Sequence, residues 1–363
     1  MIVAVRSDAP DLVRRVGRIQ AAAGVPLVFD ARWPRAQREL ALAAASNANA
    51  DASVGWATLT SGSSGSPRIV LRSAASWADS FVTVADLLRA SRRDAVALPV
   101  TPASSLTLFS IAHALAGGPR ASLGTRGAIS ATCLHGTPQA LRAMLDAGVP
   151  PRLRTALVGG SHLDAALRER ARKAGVEVIG YYGAAELSFV AIDRGDGLRP
   201  FPGVELHIRD GVLWVRSPFV ASGYAGTDGP LRRDGEWATV GDRAELVNGR
   251  LRLLGRADDA ILTASATIVP DDVEEVLRAV PGIRDAVVFG FPRAGVGALV
   301  AAFVELDRAA AVGLRKAVAT HLAPAHRPRL WFSGELPRTS SGKPARAQAV
   351  RQVLDGEVPR YVL

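Results

Sequence analysis

Leu336-Pro337-Arg338-Thr339-Ser340-Ser341-Gly342-Lys343-Pro344-Ala345-Arg346 lies near the carboxyl end of a 363-residue chain. Of its 44 basic residues only three are lysines: Lys173, Lys316 and Lys343. Where nearly every cation is arginine, a lysine beside a Ser-Ser-Gly turn suggests a task that guanidinium cannot perform. A compact ammonium enters a tight site and sets one point charge on a carboxylate or phosphate oxygen, whereas arginine presents a broad planar fork. The plain alternative is a solvated lysine in a terminal loop. What decides between them lies upstream.

Leu59-Thr60-Ser61-Gly62-Ser63-Ser64-Gly65-Ser66-Pro67-Arg68 follows a strand-like run, Val54–Leu59. Its glycines let the backbone turn so that amides point inward, its hydroxyls add donors, and Arg68 adds a cation. That is what holding a triphosphate requires, although the Walker sequence is absent. A flexible Ser/Gly loop is the competing reading. Gly180-Tyr181-Tyr182-Gly183-Ala184-Ala185-Glu186 offers a flat aromatic face for a base and a carboxylate for a hard cation such as Mg²⁺. Its competing reading is a strand-to-helix turn. Val240-Gly241-Asp242-Arg243 is followed after a hairpin by Gly255-Arg256-Ala257-Asp258-Asp259; Asp242 could accept hydrogen bonds from a ribose diol, but Gly-Asp also commonly marks a turn.

Around these motifs the chain alternates. Helices are expected at Leu12–Ala23, Arg35–Ala45, Ser76–Leu88, Leu106–Ala116, Pro138–Ala147 and Leu163–Ala174. Strands are expected at Pro26–Phe29, Val54–Leu59, Ala95–Val100, Thr155–Val158 and Val176–Gly180. Such alternation predicts an α/β fold with a mostly parallel sheet. After residue 200 short strands are punctuated by Asp210-Gly211 and Asn248-Gly249, which predicts a small antiparallel unit with hairpins. From Pro270 onward, helices and strands suggest a compact α+β tail.

Composition narrows the chemistry. The length allows two or three domains, and 48% hydrophobic with 21% charged residues describes an ordinary globular protein. The one cysteine, Cys133, excludes an internal disulfide and reads as a buried structural thiol in a reducing compartment. The amino terminus lacks the order of a signal peptide. Pro99 and Pro102 interrupt the most apolar stretch, Ala95 to Gly118, which therefore predicts no membrane span. A cytoplasmic location is expected. The net charge is +10, but the arginines are dispersed and aromatics reach only 6%, so nucleic acid is not the expected partner. The six histidines never stand at metal-ligand spacing, and HExxH, CxxC and GxSxG are absent.

In their order and spacing these motifs resemble the acyl-adenylate-forming superfamily: acyl- and aryl-CoA synthetases, adenylation domains of peptide synthetases and luciferases. The resemblance covers about residues 55–350. It implies a large N-terminal domain over residues 1–254, with mostly parallel sheets plus the antiparallel unit. A hinge at 255–259, centred on Asp258, and a small mobile α+β domain over 260–363 follow. It further implies that Thr60, Ser61, Gly62, Ser63, Ser64, Gly65 and Arg68 hold ATP phosphates. Gly159, Gly160, Ser161, Tyr181, Tyr182 and Gly183 would surround adenine, with Tyr182 stacked on it. Asp242 and Arg256 would hold the ribose, Glu186 would associate with Mg²⁺, and Lys343 would bridge ATP and the substrate carboxylate. The implied reaction makes an acyl-adenylate and passes it to the thiol of CoA.

The chain departs from the family pattern in places. Only about sixty residues precede the phosphate loop, as in some o-succinylbenzoate-CoA synthetases, which makes that acid a candidate. Ala185 stands where threonine is usual, Arg68 where lysine is usual, and Ser265 where glycine is frequent. A second carboxylate on the substrate would find no cation in the expected pocket except His135 or His162. An enzyme that loads an acyl carrier protein is one alternative. A non-catalytic nucleotide-binding member is another.

Overall fold

A computed structural model of the protein describes all residues except 34, 47, 49–50, 60–67, 125–128, 161–162, 227, 257–260, 263–266, 269, 294–296, 308–313, 315–317, 320–321, 323–325, 340 and 362–363. The architecture is mixed α/β. A five-stranded sheet runs in the order Ile2–Arg6, Val25–Phe29, Val54–Leu59, Ile69–Ser73 and Gly223–Tyr224. Its first three strands are parallel and the last two are antiparallel to their neighbours.

A seven-stranded sheet runs Arg199–Pro200, Ser188–Asp193, Glu177–Ala184, Thr155–Gly159, Cys133–Gly136, Ala95–Leu98 and Arg120–Leu123. From Glu177–Ala184 to Arg120–Leu123 every pair is parallel. Ala95–Leu98 and Thr155–Gly159 are buried at every position, which is why they read as unbroken apolar runs rather than alternating ones. Cys133 lies fully buried in this sheet, and burial pushes its thiol up to about 12. The helix Pro138–Ala147 starts where the Thr137 hydroxyl accepts the Ala140 N–H, with proline at its first turn.

The antiparallel unit is a six-stranded sheet. Arg232–Asp234, Trp237–Thr239, Val212–Arg216, Asp242–Val247 and Arg250–Arg256 lie in that order, and Glu205–Arg209 also pairs with Val212–Arg216. Asp210, Gly211, Asn248 and Gly249 all have φ between 52° and 74°. Both expected hairpins therefore close through turns with two left-handed residues, the conformation that Asp-Gly and Asn-Gly favour.

In the tail, Ile283–Arg293 and Gly297–Leu306 are antiparallel, and Leu330–Ser333 is parallel to the latter. Alternate residues of Ile283–Arg293 enter two cores. Val288 joins Val273 and Leu277 of the helix Pro270–Ala279, whereas Phe289 joins Ala349 and Val353 of the helix Arg346–Leu354. Among the described residues, neither core holds one before Ile261.

Two expectations are corrected. The chain opens with a strand, Ile2–Arg6, in register with Val25–Phe29, rather than with a helix. The helix expected at Ser76–Leu88 is two, Ala75–Ala78 and Phe81–Leu88. Ser80 sits between them and its hydroxyl donates to Trp77 O at 2.8 Å, a side-chain bond that competes with the helical ladder.

Candidate active site

Gly160 follows the strand Thr155–Gly159 with φ of 91°, a conformation that residues bearing Cβ seldom adopt. What approaches the two glycines also forbids a side chain. A Cβ on Gly160 would stand 2.9 Å from Cε of Lys343, and one on Gly159 would stand 2.2 Å from the Tyr181 ring. The lysine singled out from sequence is thus delivered by the tail to the end of a strand in the large sheet. Burial lowers its pKa, and the carboxylate of Asp242 opposes that drop.

The turn that carries Lys343 is closed by its own backbone. Thr339 N–H donates to Lys343 O at 2.7 Å and Gly342 N–H to Thr339 O at 2.9 Å, with Gly342 at φ 84°. Arg338 and Arg346 hold the turn to the tail. Arg338 pairs with Asp285 at 2.9 Å and with Glu305 at 2.5 Å. Arg346 pairs with Glu274 at 2.6 Å and donates to Val288 O at 2.6 Å. Glu274 is buried, pairs also with Arg278 at 2.7 Å, and accepts the Val288 N–H at 2.8 Å. Neither arginine stands out in the sequence. The available signal was their placement on both sides of the lysine turn.

The strand Glu177–Ala184 carries both tyrosines, and successive side chains on a strand leave on opposite faces. The Tyr182 hydroxyl donates to Asp242 Oδ2. Asp242 opens the strand Asp242–Val247 and stands opposite Arg256 in the hairpin register. Tyr181 faces the other way. Its hydroxyl meets His135 Nε2 at 3.1 Å, and His135 Nδ1 meets the Ser110 hydroxyl at 2.7 Å. Phe109 and Phe189 pack around that pair. The two tyrosines thus have different partners, Asp242 for Tyr182 and His135 for Tyr181. Burial drags His135 down to about 3 and His113 down to about 4. Burial therefore disfavours the charged form of His135, the form that a second substrate carboxylate would need. His162 lies outside the described residues.

Glu186 sits in the turn between Glu177–Ala184 and Ser188–Asp193, a strand-to-strand turn rather than a strand-to-helix one. The hairpin is tight enough that a Cβ on Gly183 would meet Ser188 O at 2.0 Å. Glu186 is 6% exposed, and its Oε1 accepts the Tyr224 hydroxyl at 2.8 Å. The Tyr224 oxygen also accepts the Leu231 N–H at 3.1 Å. Tyr224 lies on the strand beside Ile69–Ser73, close enough to Arg68 for that cation to act on its hydroxyl. Sequence alone did not point to Tyr224, which becomes visible only through this sheet edge. Thr60, Ser61, Gly62, Ser63, Ser64, Gly65, Ser161 and Asp258 lie outside the described residues, as does Ser265. The flanks of the expected phosphate loop are described, and there Leu59 pairs with Ile69.

The order of these elements along the chain is that of the adenylate-forming class. Two family descriptions match it: AMP-binding enzyme over residues 18–225 and AMP-binding enzyme C-terminal domain over residues 272–343. The chain belongs to the AMP-binding enzyme family. It is similar to the 2-succinylbenzoate–CoA ligase of Salmonella typhimurium, at 30% identity over 76% of this chain and 64% of that protein. It is also similar to the fatty acid–[acyl-carrier-protein] ligase MmaC of Mycobacterium marinum, at 30% identity over 63% of this chain and 52% of that one. The matched stretch is therefore less than two thirds of either relative. Among solved structures, the o-succinylbenzoate CoA synthetase of Bacillus subtilis in complex with its acyl-adenylate intermediate superposes with a TM-score of 0.83 at 21% identity, covering 96% of this chain and 87% of that one. An arginine-to-lysine variant of Escherichia coli MenE with bound OSB-AMS gives 0.83 at 22% identity, covering 97% and 87%. These likenesses establish the fold.

Proposed function

We propose that this chain is an AMP-forming acid–thiol ligase. A carboxylate attacks the α-phosphorus of ATP, pyrophosphate leaves, and a thiol then displaces AMP from the acyl-adenylate. CoA is the thiol in the leading reading. The observation that supports it most is the ammonium of Lys343 set against Gly160 within the field of Asp242. A desolvated point charge there fits a group that meets a carboxylate and a phosphate together, where preorganised charge acts most strongly. The same placement weighs against a non-catalytic member.

The other roles follow by position. Thr60, Ser61, Gly62, Ser63, Ser64, Gly65 and Arg68 hold the phosphates. Tyr182 stacks on adenine beside Gly159, Gly160, Ser161 and Gly183, while Asp242 and Arg256 hold the ribose. Tyr181 belongs to the side that faces the acid. Glu186 suits Mg²⁺ by its chemistry. It is a buried carboxylate whose Oε1 is oriented by Tyr224, and it provides a hard oxygen donor. No cluster of three acidic, histidine or cysteine ligands occurs among the described residues. Mg²⁺ carried in on phosphates and keeping its waters needs only one or two carboxylates. Bound there it would neutralise charge on the phosphates. Residues 1–254, a hinge at 255–259 and residues 260–363 make up the two domains, with Asp258 as pivot. The composition, with one cysteine, suits a cytoplasmic location.

The 2-succinylbenzoate named for one relative is the first acid to test, and the burial of His135 makes monocarboxylic aryl and aliphatic acids the necessary comparison. The second reading is transfer to an acyl carrier protein, supported by the name of the MmaC relative. Pyrophosphate release from Mg-ATP with a panel of such acids, with and without CoA, tests the proposal. Acid-dependent release with AMP and acyl-CoA as products bears it out. Release without CoA turnover favours the carrier, and no release with any acid counts against an enzyme.

Two further outcomes are expected. Tyr182→Phe removes a hydrogen bond to a charged acceptor, worth about 1.5 kcal/mol or more. KM for ATP should rise about tenfold while kcat changes little. An unchanged KM would show that the Tyr182 hydroxyl, as distinct from its ring, does not help to hold the nucleotide. The second concerns pH. A lysine whose pKa is lowered loses its charge earlier as pH rises, below the ordinary value of about 10.4. The alkaline limb of kcat/KM for adenylation should therefore lie below that value and should be missing from thioester formation. A limb shared by both halves would remove Lys343 as its origin.

A further inference from the structure

Arg72 is fully buried in the strand Ile69–Ser73, four residues beyond the cation expected at the phosphates. It faces Trp56 across the hairpin, and its Cζ lies 5.4 Å from the Trp77 ring centroid. The guanidinium reaches the other large sheet. Nη1 donates to Ala185 O at 2.6 Å and to Glu186 O at 3.4 Å, and Nη2 donates to Phe219 O. These three carbonyls belong to two separate loops: the hairpin turn that carries Glu186, and the segment just ahead of Ala221. Ala221 N–H closes the frame by donating to Glu186 O at 2.7 Å.

Burying a guanidinium is expensive, and an apolar side chain of similar volume often serves a fold equally well. What an apolar side chain lacks is a rigid fork of donors. Here the fork grips the backbone on both sides of the Glu186 Cα, at the carbonyls of residues 185 and 186. Glu186 is then held twice: its main chain by Arg72 and Ala221, its carboxylate by Tyr224. Ala185, which offers no hydroxyl of its own to brace the turn, has its carbonyl held by Arg72 Nη1 at 2.6 Å.

We infer that Arg72 is a positioning residue for Glu186, setting the carboxylate toward the magnesium-bound phosphates of ATP through the backbone of the 185–186 turn. The inference rests on the proposed role of Glu186 and adds to it a specific support. Groups that orient a metal-facing carboxylate typically change metal affinity about 10–100-fold when removed.

Calorimetric titration of ATP into the whole protein, with Mg²⁺ and with EDTA, tests it without relying on turnover. Arg72→Met and Arg72→Lys should both weaken binding in Mg²⁺ about tenfold and leave binding in EDTA unchanged. Lysine keeps the charge but not the fork, and it also serves if methionine impairs folding. In the double variant Arg72→Met/Glu186→Gln the losses should not add, because both act through one carboxylate. Equal weakening with and without Mg²⁺, full rescue by lysine, or additive losses would overturn the inference. Failure of the underlying reading looks different: Glu186→Gln alone would then leave Mg²⁺-dependent binding unchanged, whatever Arg72 does, and the inference would fall with it.

Discussion

Lys343→Ala is expected to slow acid-dependent pyrophosphate release by about 10²–10³, the loss that follows removal of one preorganised electrostatic donor. Transfer from a supplied acyl-adenylate to the thiol should stay near the wild-type rate, because that half begins after the carboxylate and phosphate have been joined. Lys343→Arg should rescue little. The lysine passes so close to Gly160 that a Cβ there would stand 2.9 Å from its Cε, and a broad planar fork does not reproduce a point charge set at such a place. Melting temperatures should remain close to wild type, since the turn is closed by backbone bonds at Thr339 and Gly342 that the substitution leaves alone. Equal loss in both half-reactions would remove Lys343 from its assigned step.

Arg338→Met is expected to have the largest effect on stability. It removes the guanidinium that pairs with both Asp285 and Glu305, whose side chains are only 15% and 9% exposed. Asp285 keeps Arg278 at 3.1 Å and the Ala286 N–H at 2.9 Å, whereas Glu305 keeps the Leu336 N–H at 2.8 Å. Breaking a pair of this kind from one side leaves an uncompensated charge in a poorly hydrated site, and the expected loss is about 3 kcal/mol. Urea unfolding followed by tail fluorescence from Trp331 measures it. Adding Glu305→Gln to Arg338→Met should restore part of the stability, because the stranded charge is then gone. A change within about 0.5 kcal/mol, typical of a surface site, would show that the network does not hold the turn. Adenylation should fall together with stability, since the same arginine sets the base of the Lys343 turn.

The two variants separate a chemical role from a supporting one, and they show where sequence was enough. Alternating apolar runs and polar helices specified the parallel sheets, because strands buried on both faces need continuous apolar side chains wherever they pair. Asp210-Gly211 and Asn248-Gly249 specified their hairpins, because few other residue pairs tolerate two successive left-handed conformations. Lys343 was legible as an exception to a strong arginine bias. In each case the signal is carried by the residue or its immediate neighbours.

The rest depended on groups far apart in the chain. Nothing local separates Tyr181 from Tyr182, yet the strand sends one to His135 and the other to Asp242. His135 is held well below the ordinary histidine range because burial beside Tyr181 and two phenylalanine rings disfavours its charged form, with His113 adding to the effect. Arg72 reads as one arginine among many until the packing of two sheets puts it under Ala185 and Glu186. Gly160 meets Lys343 through the docking of the tail on the large sheet. The sequence by itself determined the elements, their turns and the residue types available for chemistry, because propensity and periodicity act over a few residues. Tertiary structure alone decided which of those groups lost their water and which charges came to face each other, because desolvation and Coulomb energy depend on distance in space.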